Sequence, residues 1–219
     1  MKNYHAVGNR CACNIEEFPG STLEILASKG FKVLDVDIIE LARERIGNAV
    51  YRRGARLHEA PNAFDCSSFM KWIYGQKGIW LPRRSIQQSE VGVKIPLTDI
   101  RAGDLIFTKG WINYFRNDPK DGIGHVGMAT GEGTVIHAAD NLIHLKEVSL
   151  EAFVEDDKDA IIRRYFDEHT ITFETPHKRE VECSDDILWI TLSSKRFFEI
   201  EMENREQIES EVAGWNAET

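Results

Sequence analysis

Phe64-Asp65-Cys66-Ser67-Ser68-Phe69-Met70-Lys71-Trp72 is the stretch on which the fold of this 219-residue chain turns. Asp65 has a short acceptor side chain suited to the free N–H groups at a helix start. Behind it Phe69, Trp72 and Ile73 recur at helical spacing and make one apolar face, and Gly75 and Gly78 end the run. Cys66 therefore belongs in a first helical turn. There the positive helix end favours thiolate and lowers a thiol pKa that is ordinarily about 8.5. Thiolate is the nucleophilic form. A free cysteine is more often a small buried hydrophobe, so a catalytic reading needs support from elsewhere in the chain.

That support lies in two short β-rich runs, Gly124-His125-Val126-Gly127-Met128-Ala129-Thr130 and Thr134-Val135-Ile136-His137-Ala138-Ala139, either side of Gly131-Glu132-Gly133. They read as a hairpin. With the turn centred on Glu132, His125 lies opposite Ala139 and Gly127 opposite His137. Both imidazoles then share one face at diagonal side-chain reach, while Val126, Met128, Ile136 and Ala138 fill the other. A loop of even length would instead put the histidines on opposite faces. Either histidine alone fits a hydrogen-bonded structural role. As a set with a helix-start thiol they supply a base and a group to orient it.

Asp65-Cys66-Ser67, Leu81-Pro82-Arg83-Arg84-Ser85, Arg101-Ala102-Gly103-Asp104-Leu105-Ile106-Phe107, His125-Val126-Gly127 and Ile136-His137-Ala138 follow in this order. Together they resemble the NlpC/P-sixty superfamily of papain-like cell-wall cysteine peptidases, over residues 36–164. The order differs from that of circularly permuted lipid-modifying relatives, in which the histidine precedes the cysteine. The resemblance implies Cys66 as nucleophile, His125 as general base and acid, and His137 as the polar residue orienting His125. It also implies a substrate-binding group of Tyr51, Asp65, Ser67, Arg83 and Ser85, with Asp65 both capping the helix and holding a free N-terminal amine of the peptide. The fold expected is α+β and papain-like: a cysteine-bearing helix packed on an antiparallel β-sheet, followed by an acidic C-terminal extension. The activity expected is hydrolysis of amide bonds in peptidoglycan stem peptides, at the bond between D-γ-glutamate and a diamino acid, with no metal or cofactor. An acyltransferase or lipid amidase on the same fold is one alternative, and a non-catalytic protein-binding module is another.

Three regions follow: an N-terminal arm (1–34), the peptidase-like domain (35–165) and an extension (166–219). In the arm, Ser21-Thr22-Leu23-Glu24 reads as a capping box opening a short helix that Gly30 ends. Asp37 opens a second helix, with Ile38, Leu41, Ala42 and Ile46 as its buried stripe. Residues 52–63 read as a loop lining the cleft, and residues 108–124 as a longer one whose Trp111, Tyr114 and Phe115 either fold over the cleft as a lid or pack aside. Strands are expected over 103–107, 142–145 and 160–164.

The extension carries 14 acidic and 5 basic side chains, which accounts for the whole net charge of −9. Its runs 187–192 and 197–202 read as strands, and 205–215 as a helix. An acidic surface disfavours nucleic acid and anionic membranes as partners. No apolar run approaches the ~20 residues of a membrane span, and the oligomeric state is left open. The N-terminus lacks a charged-then-apolar leader, which fits a cytoplasmic protein, or a secreted one if the leader was trimmed. The four cysteines (11, 13, 66 and 183) do not form a disulfide framework on spacing, and Cys11-x-Cys13 reads as an incidental pair in a flexible arm.

Overall fold

A computed structural model describes residues 3–109, 122–139, 144–154, 160–195 and 199. The strands are β1 (Arg10–Asn14), β2 (Lys32–Leu34), β3 (Val50–Tyr51), β4 (Ala63–Phe64), β5 (Val93–Ile95) and β6 (Leu105–Lys109), then β7 (Ile123–Ala129), β8 (Thr134–Ala139), β9 (His144–Ser149), β10 (Ile161–Arg164) and β11 (Thr170–Glu174). The helices are α1 (Thr22–Ser28), α2 (Ile38–Arg43), α3 (Cys66–Gln76), α4 (Ser85–Glu90), α5 (Leu150–Val154) and α6, over 184–195. No described helix is long and apolar enough to cross a membrane.

The main sheet has eight strands in the order β4-β3-β9-β8-β7-β6-β10-β5. It is antiparallel except for the β3–β4 pair. Helix α3 lies on one face of it. Phe69, Met70, Ile73 and Tyr74 of that helix pack against Val126, Met128, Ile136 and Ala138, all fully buried. Alternation along β7 and β8 makes this possible, because every second residue of both strands is apolar and faces the helix. One edge of the sheet is tied by a buried ion pair. Arg164 on β10 donates to both oxygens of Asp104, at 2.8 and 2.7 Å, and the same carboxylate accepts from the Arg101 N–H at 2.8 Å.

The expected helices form with one difference of detail. Asp37 caps α2, its side chain accepting from Ile39 and Glu40 N–H. Ser21 stands at the cap position of α1 but makes no side-chain cap bond. Helix α4 was not legible in the sequence. The strands expected at 103–107, 142–145 and 160–164 appear as β6, β9 and β10.

The arm and the extension meet. β11 is the middle strand of a second sheet, β1-β11-β2, with Ala12 opposite Thr172 and Leu34 opposite Thr172 on the other side. Cys11 and Cys13 are completely buried there, among Leu26, Phe31, Phe173, Ile187 and Ile190. They are core residues of a strand, not an incidental pair in a flexible arm, and all four cysteines are free thiols. The run 187–192, expected as a strand, is helical and lies within α6. Its Ile187 and Ile190 are three apart and both buried, whereas Trp189 between them is 70% exposed. That is helical periodicity, which the β-prone composition of the run concealed. The expected strand at 197–202 and helix at 205–215, and the aromatic loop residues 111, 114 and 115, lie outside the described residues.

The small sheet braces the far end of the cysteine helix. Arg10 Nη1 donates to the Gln76 carbonyl at 2.9 Å, Ala12 N–H to Gly78 O at 3.0 Å, and Thr172 Oγ1 to Lys77 O at 2.8 Å. Gly78 sits at φ +76°, and a Cβ there would come within 2.8 Å of the Cys11 and Ala12 backbone. Glycine serves at this helix end for both reasons.

Candidate active site

Asp65 is the N-cap of α3, and Cys66 is the first residue of the helix. The Asp65 Oδ1 accepts the Ser68 N–H at 2.8 Å, while Ser68 Oγ accepts the Asp65 N–H at 2.9 Å, a reciprocal cap. The carboxylate is also the hub of a polar cluster. Arg83 reaches both its oxygens, at 3.1 and 2.6 Å, the Ser67 hydroxyl donates to it at 3.3 Å, and the Gly54 N–H at 3.1 Å. Arg83 holds the Ser67 Oγ at 3.0 Å and the Ala55 carbonyl at 2.7 Å as well. Five donors thus share the two oxygens of Asp65, whose residue is 8% exposed. A carboxylate offers about four lone-pair sites, so a substrate ammonium would have to displace one of these donors.

Gln88, missed in the sequence, completes this wall. It is fully buried on α4, and its Nε2 donates to the Ser67 carbonyl at 3.0 Å and the Pro82 carbonyl at 2.9 Å. Ser85 opens α4 and is half-buried. Tyr51 on β3 stands beside Phe64 in the parallel pair, two residues before the cysteine, and packs against the main core.

The hairpin register places the other half of the site. Met128 faces Ile136 and Ala129 faces Val135, so the turn is centred on Glu132 as the sequence implied. The β7–β8 ladder ends there. Ala129 gives its N–H to Asp104 O on the β6 side. By alternation the Val126 N–H points to the β8 side, into the gap where the two strands part. That N–H and the Ser67 N–H are directed at the Cys66 sulfur. Across the same gap His125 Nε2 meets His137 Nδ1 at 2.8 Å. The imidazoles share one face, and Phe153 of α5 covers them, its ring 5.5 Å from His125 and 5.0 Å from His137. Gly127 leaves room for this lid. A Cβ there would lie 2.5 Å from Val135 Cγ1 and 2.8 Å from Phe153 Cζ.

The electrostatics differ from the sequence expectation. Burial pushes the Cys66 thiol up to about 12, the Asp65 charge adds to this, and the Ser67 and Val126 N–H groups and Arg83 only partly offset it. The helix start does not depress this thiol, because removing the sulfur from water outweighs the first-turn dipoles. Burial likewise holds His125 down at about 4 and His137 at about 3, with Lys146 acting against the charged form of both. Thiol and imidazoles are therefore neutral at rest. Among the described residues no group of His, Cys, Asp and Glu is arranged to hold a metal ion.

One hydrogen lies between the two rings. A basic His125 Nδ1 requires that His125 Nε2–H donates to His137 Nδ1, which puts the single ring proton of His137 on Nε2. That nitrogen is buried with no hydrogen-bond partner among the described residues. The arrangement can take a proton at His125 Nδ1 and brace the resulting imidazolium through Nε2–H.

Comparison with known proteins bears on the same residues. A probable endopeptidase of Corynebacterium glutamicum is 38% identical over 114 residues, 52% of this chain and 47% of that protein. A gamma-DL-glutamyl hydrolase of Bacillus subtilis is 34% identical over 146 residues, 65% of this chain and 32% of that one. A gamma-D-glutamyl-L-lysine dipeptidyl-peptidase of the same species is 31% identical over 105 residues, 48% of this chain and 33% of that one. The chain spans half or less of the length of these relatives. The model of the NlpC/P60 family matches residues 48–163, which contain the capped thiol, the Arg83 wall and both histidines. With that match over more than half its length, the chain belongs to the NlpC/P60 family.

Proposed function

We propose that the chain is a cysteine endopeptidase of peptidoglycan-derived peptides that cuts the amide between D-γ-glutamate and a diamino acid. The observation that carries this reading is the 2.8 Å bond between His125 and His137 in the same strand gap where the Val126 N–H meets the Cys66 sulfur. The relatives named for γ-glutamyl substrates supply the bond. Cys66 Sγ attacks the amide carbonyl while its proton passes to His125 Nδ1. First-turn N–H groups of α3 that Asp65 does not take face the developing oxyanion. The imidazolium then protonates the leaving amine, the C–N bond breaks, and a thioester remains on Cys66. Water, deprotonated by His125, releases the γ-glutamyl acid. Asp65, Ser67, Arg83 and Ser85 form the wall for the acyl half, with Tyr51 beside it.

Mass spectrometry of L-Ala-γ-D-Glu-L-Lys after incubation tests this. The expected products are L-Ala-γ-D-Glu and lysine, and none with Cys66→Ala. No cleavage, or cleavage that survives that substitution, would sink the reading. The N-acetylated peptide extends the test. Because five donors already share Asp65, we expect acetylation to change kcat/KM only a few-fold, whereas a loss of about 100-fold or more would support the amine-reading role expected for this carboxylate.

A further inference from the structure

Lys146 stands directly opposite His137 in the β8–β9 ladder, so its side chain shares the face of the two imidazoles. It is half-buried, and its charge acts on both rings. No carboxylate among the described residues forms an ion pair with it. Its neighbour Glu147 points to the other face and is committed elsewhere, accepting from Arg43 at 3.1 Å and from Thr134 Oγ1 at 2.5 Å. A lone cation beside an imidazole that must become imidazolium opposes the reaction it adjoins. Such placement makes sense if an anion arrives with the substrate.

We propose that Lys146 pairs with a carboxylate on the leaving half of the substrate, so that the site selects diamino acids carrying a free carboxylate next to the scissile amide. This rests on the peptidase reading above. The leaving amine must lie at His125 Nδ1 to receive its proton. Its α-carboxylate is two bonds further on, and the four-carbon stem of Lys146 reaches from the strand paired with His137. The acyl half lies on the opposite side of Cys66, along Arg83 and Ser67. When the carboxylate binds, the charge that adds to burial in disfavouring the His125 imidazolium is offset, and proton transfer from Cys66 becomes easier. Binding and activation are thus coupled in one contact. A diaminopimelate residue has a second carboxylate at its far end that could serve the same cation.

Three peptides separate these cases, each assayed with the full chain: L-Ala-γ-D-Glu-L-Lys, its C-terminal amide, and L-Ala-γ-D-Glu-meso-diaminopimelate amidated at the α-carboxyl. A charge-assisted hydrogen bond predicts kcat/KM roughly 10- to 100-fold higher for the free acid than for the lysyl amide. Lys146→Met should bring that ratio to within about threefold, mainly by slowing the free acid, and Lys146→Arg should restore most of it. Melting curves for each variant check that the fold is kept. The third peptide identifies the carboxylate: fast cleavage assigns the far one, slow cleavage the α-carboxylate. Cleavage by the wild type with a ratio that Lys146→Met leaves unchanged overturns the role of Lys146 alone. Failure of the wild type to cut any of the three overturns the peptidase reading as well.

Discussion

At the scale of single residues, the thiol is the clearest point of departure. A pKa raised to about 12 leaves Cys66 protonated across the neutral range. Iodoacetamide should therefore alkylate it no faster than an ordinary free thiol at pH 7, with a rate that climbs through the alkaline range. Mass spectrometry of the peptide containing Cys66 after timed labelling gives this rate. A rate already at its plateau at pH 7, falling only in acid, would instead show a thiolate–imidazolium pair in the free protein. The histidines are unequal in the same scheme. His125→Ala removes the imidazole whose Nδ1 is to accept the Cys66 proton and should cost about 10²- to 10⁴-fold in kcat. His137→Gln keeps an acceptor for the His125 Nε2–H and should cost about tenfold or less. Equal losses in the two folded variants would overturn the division of roles.

At the scale of elements, the hairpin does two jobs on its two faces. One side of β7 and β8 carries the core under α3, and the other holds the imidazole pair under Phe153. Gly127 couples them, because any side chain there collides with Phe153 and Val135. Gly127→Ala should therefore displace Phe153 and loosen the His125–His137 bond. The expected result is a kcat lowered by about tenfold with a smaller change in KM, read from steady-state kinetics on the tripeptide. An unchanged kcat would mean that the lid plays no part in holding the rings. The polar wall is built differently, with Arg83 and Gln88 bonding to the cap and first turn of α3 from a separate segment.

At the scale of the whole molecule, the buried His137 and the half-buried His125 are both held in the neutral form, and this contributes to stability against acid. Their folded pKa values, about 4 and 3, lie below the ordinary 6.5 of an unfolded chain. Above pH 6.5 neither state binds these protons, so stability from this source is complete. As pH falls towards 3 the unfolded chain takes up protons that the native one refuses, and stability is lost. Thermal melts should show Tm falling across that window, and falling less in His137→Gln. An equal fall in the variant would place the acid sensitivity elsewhere. The terminal regions matter at this scale too. Every motif quoted from the sequence lies before residue 166. β11 is however the middle strand of the small sheet, and Thr172 bonds to the end of α3. Deletion of residues 168–219 should leave β1 and β2 without a shared partner, expose Cys11 and Phe31, and lower Tm or solubility markedly. A soluble truncation with unchanged Tm would show that the sheet contributes nothing to the peptidase domain.

Short-range chemistry was decided by the sequence alone. A capping aspartate before a cysteine at helical apolar spacing placed Cys66 at the start of α3, and a three-residue turn with period-2 alternation put His125 and His137 on one face. These are local rules of backbone geometry, legible without any knowledge of what lies across the molecule. Only the tertiary structure decided the rest. The protonation of Cys66 depends on how many atoms exclude water from the sulfur, and the Gly54 and Arg83 donors to Asp65 come from segments 11 and 18 residues away. Lys146 faces His137 because of a β8–β9 register that lies beyond the hairpin turn, and the run at 187–192 became helix because its buried face was set by a core from the opposite terminus. Burial and long-range register are properties of the packed chain, and no local pattern encodes them.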